Sequence, residues 1–168
     1  MFELKRMSPA GVDAALKKAE RYRLLNEPAE AESICRDVLD VDAGHQGALV
    51  MLLLALTDQF RAHDGGAQVG AARALLPKLS SEYAQAYYAG IICERWGKRL
   101  LERALPGSGP MVYDWLREAM EDYEQAEGLR PAGDDTAILR WNSCARLIMK
   151  HGHLRPPAAE ALKATPLE

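Results

Sequence analysis

The sequence predicts an all-α fold, an antiparallel array of helical hairpins with about seven helices. Three observations carry this. One spacing occurs twice: Ala31, Cys35, Val38 and Val41 near the start, and Ala119, Tyr123, Ala126, Leu129 and Pro131 near the end. In each, a small residue is followed at helical offsets by apolar ones, then by a polar turn and a fresh amphipathic segment. Elsewhere apolar residues recur at steps of three and four between Pro, Gly and Asn/Asp punctuation. No segment alternates convincingly with the period of two that a half-buried strand requires.

The elements follow in order. Ser8-Pro9 is a start signal, because a hydroxyl can accept from an early amide and proline suits the first turn. A first helix then runs to about Leu25. Asn26-Glu27-Pro28 is a turn, and a second helix spans Pro28 to about Val41, with Ala31, Ile34, Cys35, Val38 and Leu39 as its apolar stripe. A third, from about His45 to Arg61, is apolar on nearly every side between Ala48 and Leu56 and should be central. His63-Asp64-Gly65-Gly66 reads as a turn, and Ala67 to about Leu76 as a shorter fourth helix ended by Pro77. Ser80 or Ser81 caps a fifth, which continues to about Ala104 and is unusually long. After the loop Leu105 to Pro110, a sixth helix ends near Gly128, and Asp134 or Asp135 caps a seventh that ends near Gly152. Residues 1–152 thus read as one helical domain. Residues 153–168, with Pro156-Pro157 and Pro166, read as a flexible tail with at most one short turn at 158–163.

Composition bounds the function. A chain of 168 residues lies in the single-domain range, and 48% apolar with 27% charged residues argues against disorder. A net charge of −3 offers no basic excess for phosphates, so nucleic acid is not an expected partner. Cys35, Cys93 and Cys144 are odd in number and sit within apolar helical patterns, which fits buried reduced thiols in a cytoplasmic protein. The first residues carry no long apolar stretch with a cleavage site. The strongest apolar run, Ala48 to Leu56, is less than half of the roughly 20 residues a bilayer span needs, so no membrane segment is expected.

The recurring spacing resembles the tetratricopeptide repeat. In the first pair Ala19 stands at that family's small position and Tyr22 at its aromatic one, with Lys18 where the family prefers Leu. In the later pair Ala89-Gly90 occupies the Leu-Gly position. Between Cys93 and Ala119 lie about seventeen residues more than the family spacing allows, an extended helix plus the loop 105–110. The resemblance covers about residues 12–62 and, with that insertion, 84–150. It implies an α-solenoid whose small residues let paired helices touch closely and whose first helices line a concave groove for an extended peptide or a partner helix.

Candidate contact residues follow from placing each helix at about 100° per residue. On the fifth, Tyr87, Tyr88, Ile91, Glu94, Arg95, Lys98 and Glu102 share one sector, opposite Ala86, Ala89, Cys93, Trp96 and Leu100. Tyr and Arg contribute most at protein interfaces, since they combine large area with polar tips. On the seventh, Asp135, Leu139, Asn142 and Arg146 form a stripe opposite Ala137, Trp141, Cys144, Ala145 and Ile148; on the first, Asp13, Lys17, Glu20 and Arg23 form a mixed-charge row. The expected partner-binding set is Tyr87, Tyr88, Ile91, Glu94, Arg95, Lys98, Leu139, Asn142, Arg146, Lys17, Glu20 and Arg23. Some repeats of the family clamp a terminal carboxylate, and the resemblance offers Arg95, Asn142 and Arg146 for that role without the full pattern. The competing reading packs Tyr87 and Tyr88 against a neighbouring helix and leaves the charges as a solvated face with pairs such as Glu94 and Lys98.

Reactive chemistry finds little support. His151 and His153 supply half of a zinc shell, and no CxxC completes it. Cys144 and His151 share a helix face about 10 Å apart along the axis, too far for a nucleophile and its base. Glu118, Glu121, Asp122 and Glu124 lack a histidine at di-iron spacing. Trp96, Trp115 and Trp141 fall on apolar stripes and read as core, with Trp115 beside the inserted loop as an alternative pocket lining. The expectation is a non-enzymatic cytoplasmic scaffold or adaptor, without catalytic residues, metal or cofactor, that binds another protein or peptide. Two alternatives stand: self-association into a homodimer that hides the flank left after the seventh helix, and a small-ligand or enzymatic pocket between the fifth helix and loop 105–110.

Overall fold

The computed structural model describes residues 1–62 and 65–156, and its regular structure is entirely helical. Its contacts gather into two compact units, one ending at Ser81 and one beginning at Glu82. The first holds α1 (Val12–Leu24), α2 (Pro28–Val41), α3 (Gln46–Asp58) and α4 (Gly66–Arg73), with 3₁₀ turns at Pro9–Gly11, Gln59–Arg61 and Leu76–Lys78. The second holds α5 (Glu82–Arg103), α6 (Gly109–Leu129) and α7 (Thr136–Lys150). Connections of a few residues make chain neighbours pack as hairpins. No helix among the described residues is long and apolar enough to cross a membrane.

In the first unit Ala19 of α1 and Ala31, Cys35 and Val38 of α2 are completely buried. The nearly all-apolar α3 buries Ala48, Leu49, Leu52, Leu53, Ala55 and Leu56, which makes it the centre of that unit. Its first turn is closed by an imidazole, His45 Nδ1 accepting from the Ala48 amide at 3.2 Å. The Gln46 side chain donates to the Lys78 carbonyl at 3.2 Å and accepts from the Ser80 amide at 2.9 Å, tying residues 76–80 to the start of α3.

The second unit repeats the pattern, with Ala119, Tyr123 and Ala126 of α6 completely buried. Here the close approach depends on glycine. A Cβ built at Gly90 would lie 2.5 Å from the Tyr123 ring, and one at Gly97, two turns along α5, 3.2 Å from Trp115 Cβ. Two bare positions seven apart make the flat strip on which α6 lies.

Local details depart from the sequence reading. Ser8 makes no side-chain capping bond, and its helix starts through a 3₁₀ turn. The fourth helix stops at Arg73, and Pro77 sits inside a 3₁₀ turn instead of ending the helix, since an early helical position loses nothing by lacking an N–H. Of the two aspartates before α7, Asp134 supplies the capping oxygen, accepting from the Thr136 amide at 3.0 Å, and Asp135 makes no cap. None of the three tryptophans is fully buried; Trp141 turns its indole N–H to Glu124 Oε1 at 2.8 Å, a polar handle that keeps the ring at the surface. The packed chain runs past residue 152: Leu154 is buried, and the His153 carbonyl abuts Gly109 closely enough to exclude a Cβ there. The turn expected at 158–163, and His63 and Asp64 of the turn expected at 63–66, lie outside the described residues.

Candidate functional site

In the second unit α5 and α6 carry a row of phenol rings that ends on a buried carboxylate. Tyr83 and Tyr87, one turn apart on α5, stack with centroids 5.9 Å apart. Tyr88 meets Tyr87 edge-on at 5.2 Å, and Tyr123 of α6 lies against it at 5.9 Å. Three of the rings are fixed at their polar tips. Tyr83 donates to Asp134 Oδ2 at 3.1 Å, Arg140 hydrogen-bonds the Tyr87 side chain, and Tyr123 donates to Glu94 Oε2 at 2.6 Å.

Glu94 is completely buried. An ionised carboxylate there needs compensation, and it has three partners: the Tyr123 hydroxyl, the Lys98 ammonium one turn along α5, and Arg140 of α7 at 3.4 Å. The two cations keep more than a third of their side chains in solvent, so one buried anion is held from outside by two half-immersed positive charges. Burial, the Glu94 charge and the hydrogen bond to it push the Tyr123 hydroxyl far above its ordinary pKa. Burial followed by the Asp134 hydrogen bond raises Tyr83 to about 12. Arg140 feels burial, which alone would lower it, but Glu94 turns the net shift upward. Burial also raises Cys144 to about 12 and, in the first unit, Cys35 to about 11, so neither thiol is an available nucleophile.

The expected contact residues divide three ways. Ile91 and Glu94 are interior, not surface, residues, 1% and 0% exposed. The sector assigned to solvent turns inward because α5 is covered on two sides: α6 takes the glycine strip and supplies Tyr123, and α7 supplies Arg140. Tyr87, Tyr88, Arg95 and Lys98 are half-buried along the border of this region. Leu139 and Arg146 are exposed and Asn142 partly so, on the side of α7 opposite its buried Ala137 and Cys144; they do not converge with the tyrosines. In the first unit Lys17 and Glu20 are exposed, whereas Arg23 is engaged internally, donating to Asp58 Oδ2 at 2.6 Å and reaching the Met51 sulfur at 3.8 Å.

Sequence reasoning missed Tyr83, Asp134 and Arg140 as members of the cluster. Tyr83 carried a signal, its four-residue offset from Tyr87. Arg140, forty-six positions from Glu94, carried none.

A separate cleft of about 560 Å³ opens at the inserted loop of the second unit. It is lined by Leu101, Ala104, the loop 105–110, His151 and His153, and not by Trp115. The two imidazoles meet edge-to-face at 5.6 Å. Among the described residues no three His, Cys, Asp or Glu side chains are grouped to hold a metal ion. Compared with known proteins, the chain matches no family model, no curated protein and no solved structure.

Proposed function

We propose that this chain is a non-enzymatic, cytoplasmic scaffold of tetratricopeptide type that binds another polypeptide through the tyrosine face of α5. The observation that carries the reading is the row Tyr83, Tyr87, Tyr88: three partly exposed rings, adjacent in space, the first two held by Asp134 and Arg140 and the third packed edge-on against Tyr87. Rigid aromatic surface with polar edges gains contact area at small entropic cost and supplies the anchors of protein interfaces. The repeat assignment rests on the small and medium residues it requires, Ala19, Ala31, Cys35 and Val38 in one unit and Gly90, Ala119, Tyr123 and Ala126 in the other, all of them buried. The cytoplasmic assignment rests on three buried free thiols.

The test is capture from cell lysate by the wild-type chain and by Tyr88→Ala, with mass spectrometry of the retained proteins. A polypeptide enriched by the wild type and reduced at least about tenfold by Tyr88→Ala, with the melting temperature held, supports the proposal. Identical capture profiles overturn it. The cleft at 105–110 favours a second reading, a small-ligand pocket, since its volume falls in the usual range for such sites. Its side chains are mostly apolar, with Ser108, His151 and His153 as the polar ones, a set suited to holding a ligand rather than to acid–base turnover.

A further inference from the structure

The outer face of α7 carries a pattern complementary to itself. Cys144 marks the helix's inward direction, being completely buried. At about 100° per residue, Asn142 and Arg146 lie about 160° from it on either side, and Leu139 and Met149 about 140°. The exposures agree: Leu139, in the first turn of α7, is 66% and Met149, in its last turn, 75% exposed, large values for apolar side chains. The positions 139, 142, 146 and 149 are symmetric about 144.

We propose that a second copy of this chain docks on this face, the two α7 helices running antiparallel about a twofold axis level with Cys144. In that register Leu139 of each copy meets Met149 of the other, and the Asn142 side-chain oxygen accepts from Arg146 of the other, each contact occurring twice as a twofold interface requires. The ends agree as well. α7 begins beside Asp134 and Asp135 and ends at Lys150, followed by His151 and His153, so the antiparallel arrangement sets an acidic end against a basic one and opposes the two helix dipoles. A parallel pairing would instead place Arg146 against Arg146. Fifteen residues at 1.5 Å each give a contact about 22 Å long; one helix face of that length buries less than the roughly 800 Å² per partner of a standard interface, so the dimer is weak and concentration-dependent.

Sedimentation equilibrium of the full chain up to about millimolar concentration reads the association. The wild type should show a monomer–dimer equilibrium. Leu139→Lys and Met149→Glu should each weaken it by about tenfold or more, since each change enters the symmetric interface twice. An equimolar mixture of the two variants should restore association: one side of the heterodimer keeps the Leu–Met contact and the other gains a Lys–Glu pair. A chain monomeric throughout, a dimer indifferent to both variants, or a mixture no stronger than either variant alone overturns the proposal. Both positions are exposed, so unchanged circular dichroism melts would show that the fold is intact. The tyrosine face of α5 is untouched, so this result stands apart from the binding role proposed above.

Discussion

The two units solve the same packing problem with opposite chemistry. In the first, the small residue of α1 is Ala19 and the facing positions on α2 are Ala31, Cys35 and Val38, a contact with no polar group. Its charged pair, Arg23 with Asp58, sits at the rim with about a fifth of each side chain in solvent. In the second unit the small residue is Gly90, and the space its missing Cβ leaves is filled by the ring of Tyr123. Glycine admits a phenol, the buried hydroxyl needs an acceptor, Glu94 is that acceptor, and its charge in turn needs Lys98 and Arg140. One methyl group more or less on a helix thus separates a dry contact from a buried ion network.

The strongest way to break this comparison is to remove the cations from both units. Lys98→Met with Arg140→Met leaves a buried carboxylate with one neutral donor, and urea unfolding should register a loss of about 3–5 kcal/mol. Arg23→Met should cost about 1 kcal/mol or less, since this pair lies at the rim with part of each side chain in solvent. Adding Glu94→Gln to the double variant should recover most of the loss, because a neutral amide still accepts from Tyr123. Failure to recover would mean that the stems of Lys98 and Arg140 matter for packing rather than for charge.

The middle-sized effect concerns the small positions themselves. Gly90→Ala forces the Tyr123 ring away from its hydrogen bond with Glu94, an overpacking cost of about 1–3 kcal/mol by thermal or urea unfolding. At the equivalent site of the first unit the reverse change, Ala19→Gly, should cost about 1 kcal/mol, mostly helix propensity. Should Gly90→Ala prove neutral or stabilising, Tyr123 has room to retreat and the argued dependence of the ion network on glycine is wrong.

These particulars explain what could be read in the chain beforehand. The helical spans were legible because the 3.6-residue period and Pro/Gly punctuation are local; Pro28 to Val41 was read to the residue. The buried positions at Ala31, Cys35, Val38, Ala119, Tyr123 and Ala126 were legible from the recurring spacing. Glu94 was misread because a helical wheel counts a carboxylate as solvent-facing, and the group that overrules this, Arg140, belongs to another helix. The tryptophans were read as core from their apolar stripes; each is only partly buried, and the Trp141 indole N–H donates to Glu124 Oε1. Local rules placed the helices. They failed where partners remote in the chain decide whether a charge is buried.

The smallest effect sharpens the comparison at the helix ends. α1 and α5 are both followed by a non-glycine residue in the left-handed region, Asn26 at φ 60° and Ala104 at φ 48°. Asn tolerates this conformation because its short polar side chain hydrogen-bonds locally; alanine pays about 1–2 kcal/mol of steric strain relative to the right-handed form. Ala104→Gly relieves that strain at the cost of a more flexible unfolded chain, so it should stabilise by about 0.5–1 kcal/mol, whereas Asn26→Gly should change stability by no more than a few tenths. Thermal unfolding of the two variants side by side reads the difference. Ala104 also borders the cleft at the inserted loop, which makes the residual strain informative: a gain in stability from Ala104→Gly means that this turn is held against its preference by the packing of loop 105–110, and no gain means that the loop relaxes freely around it.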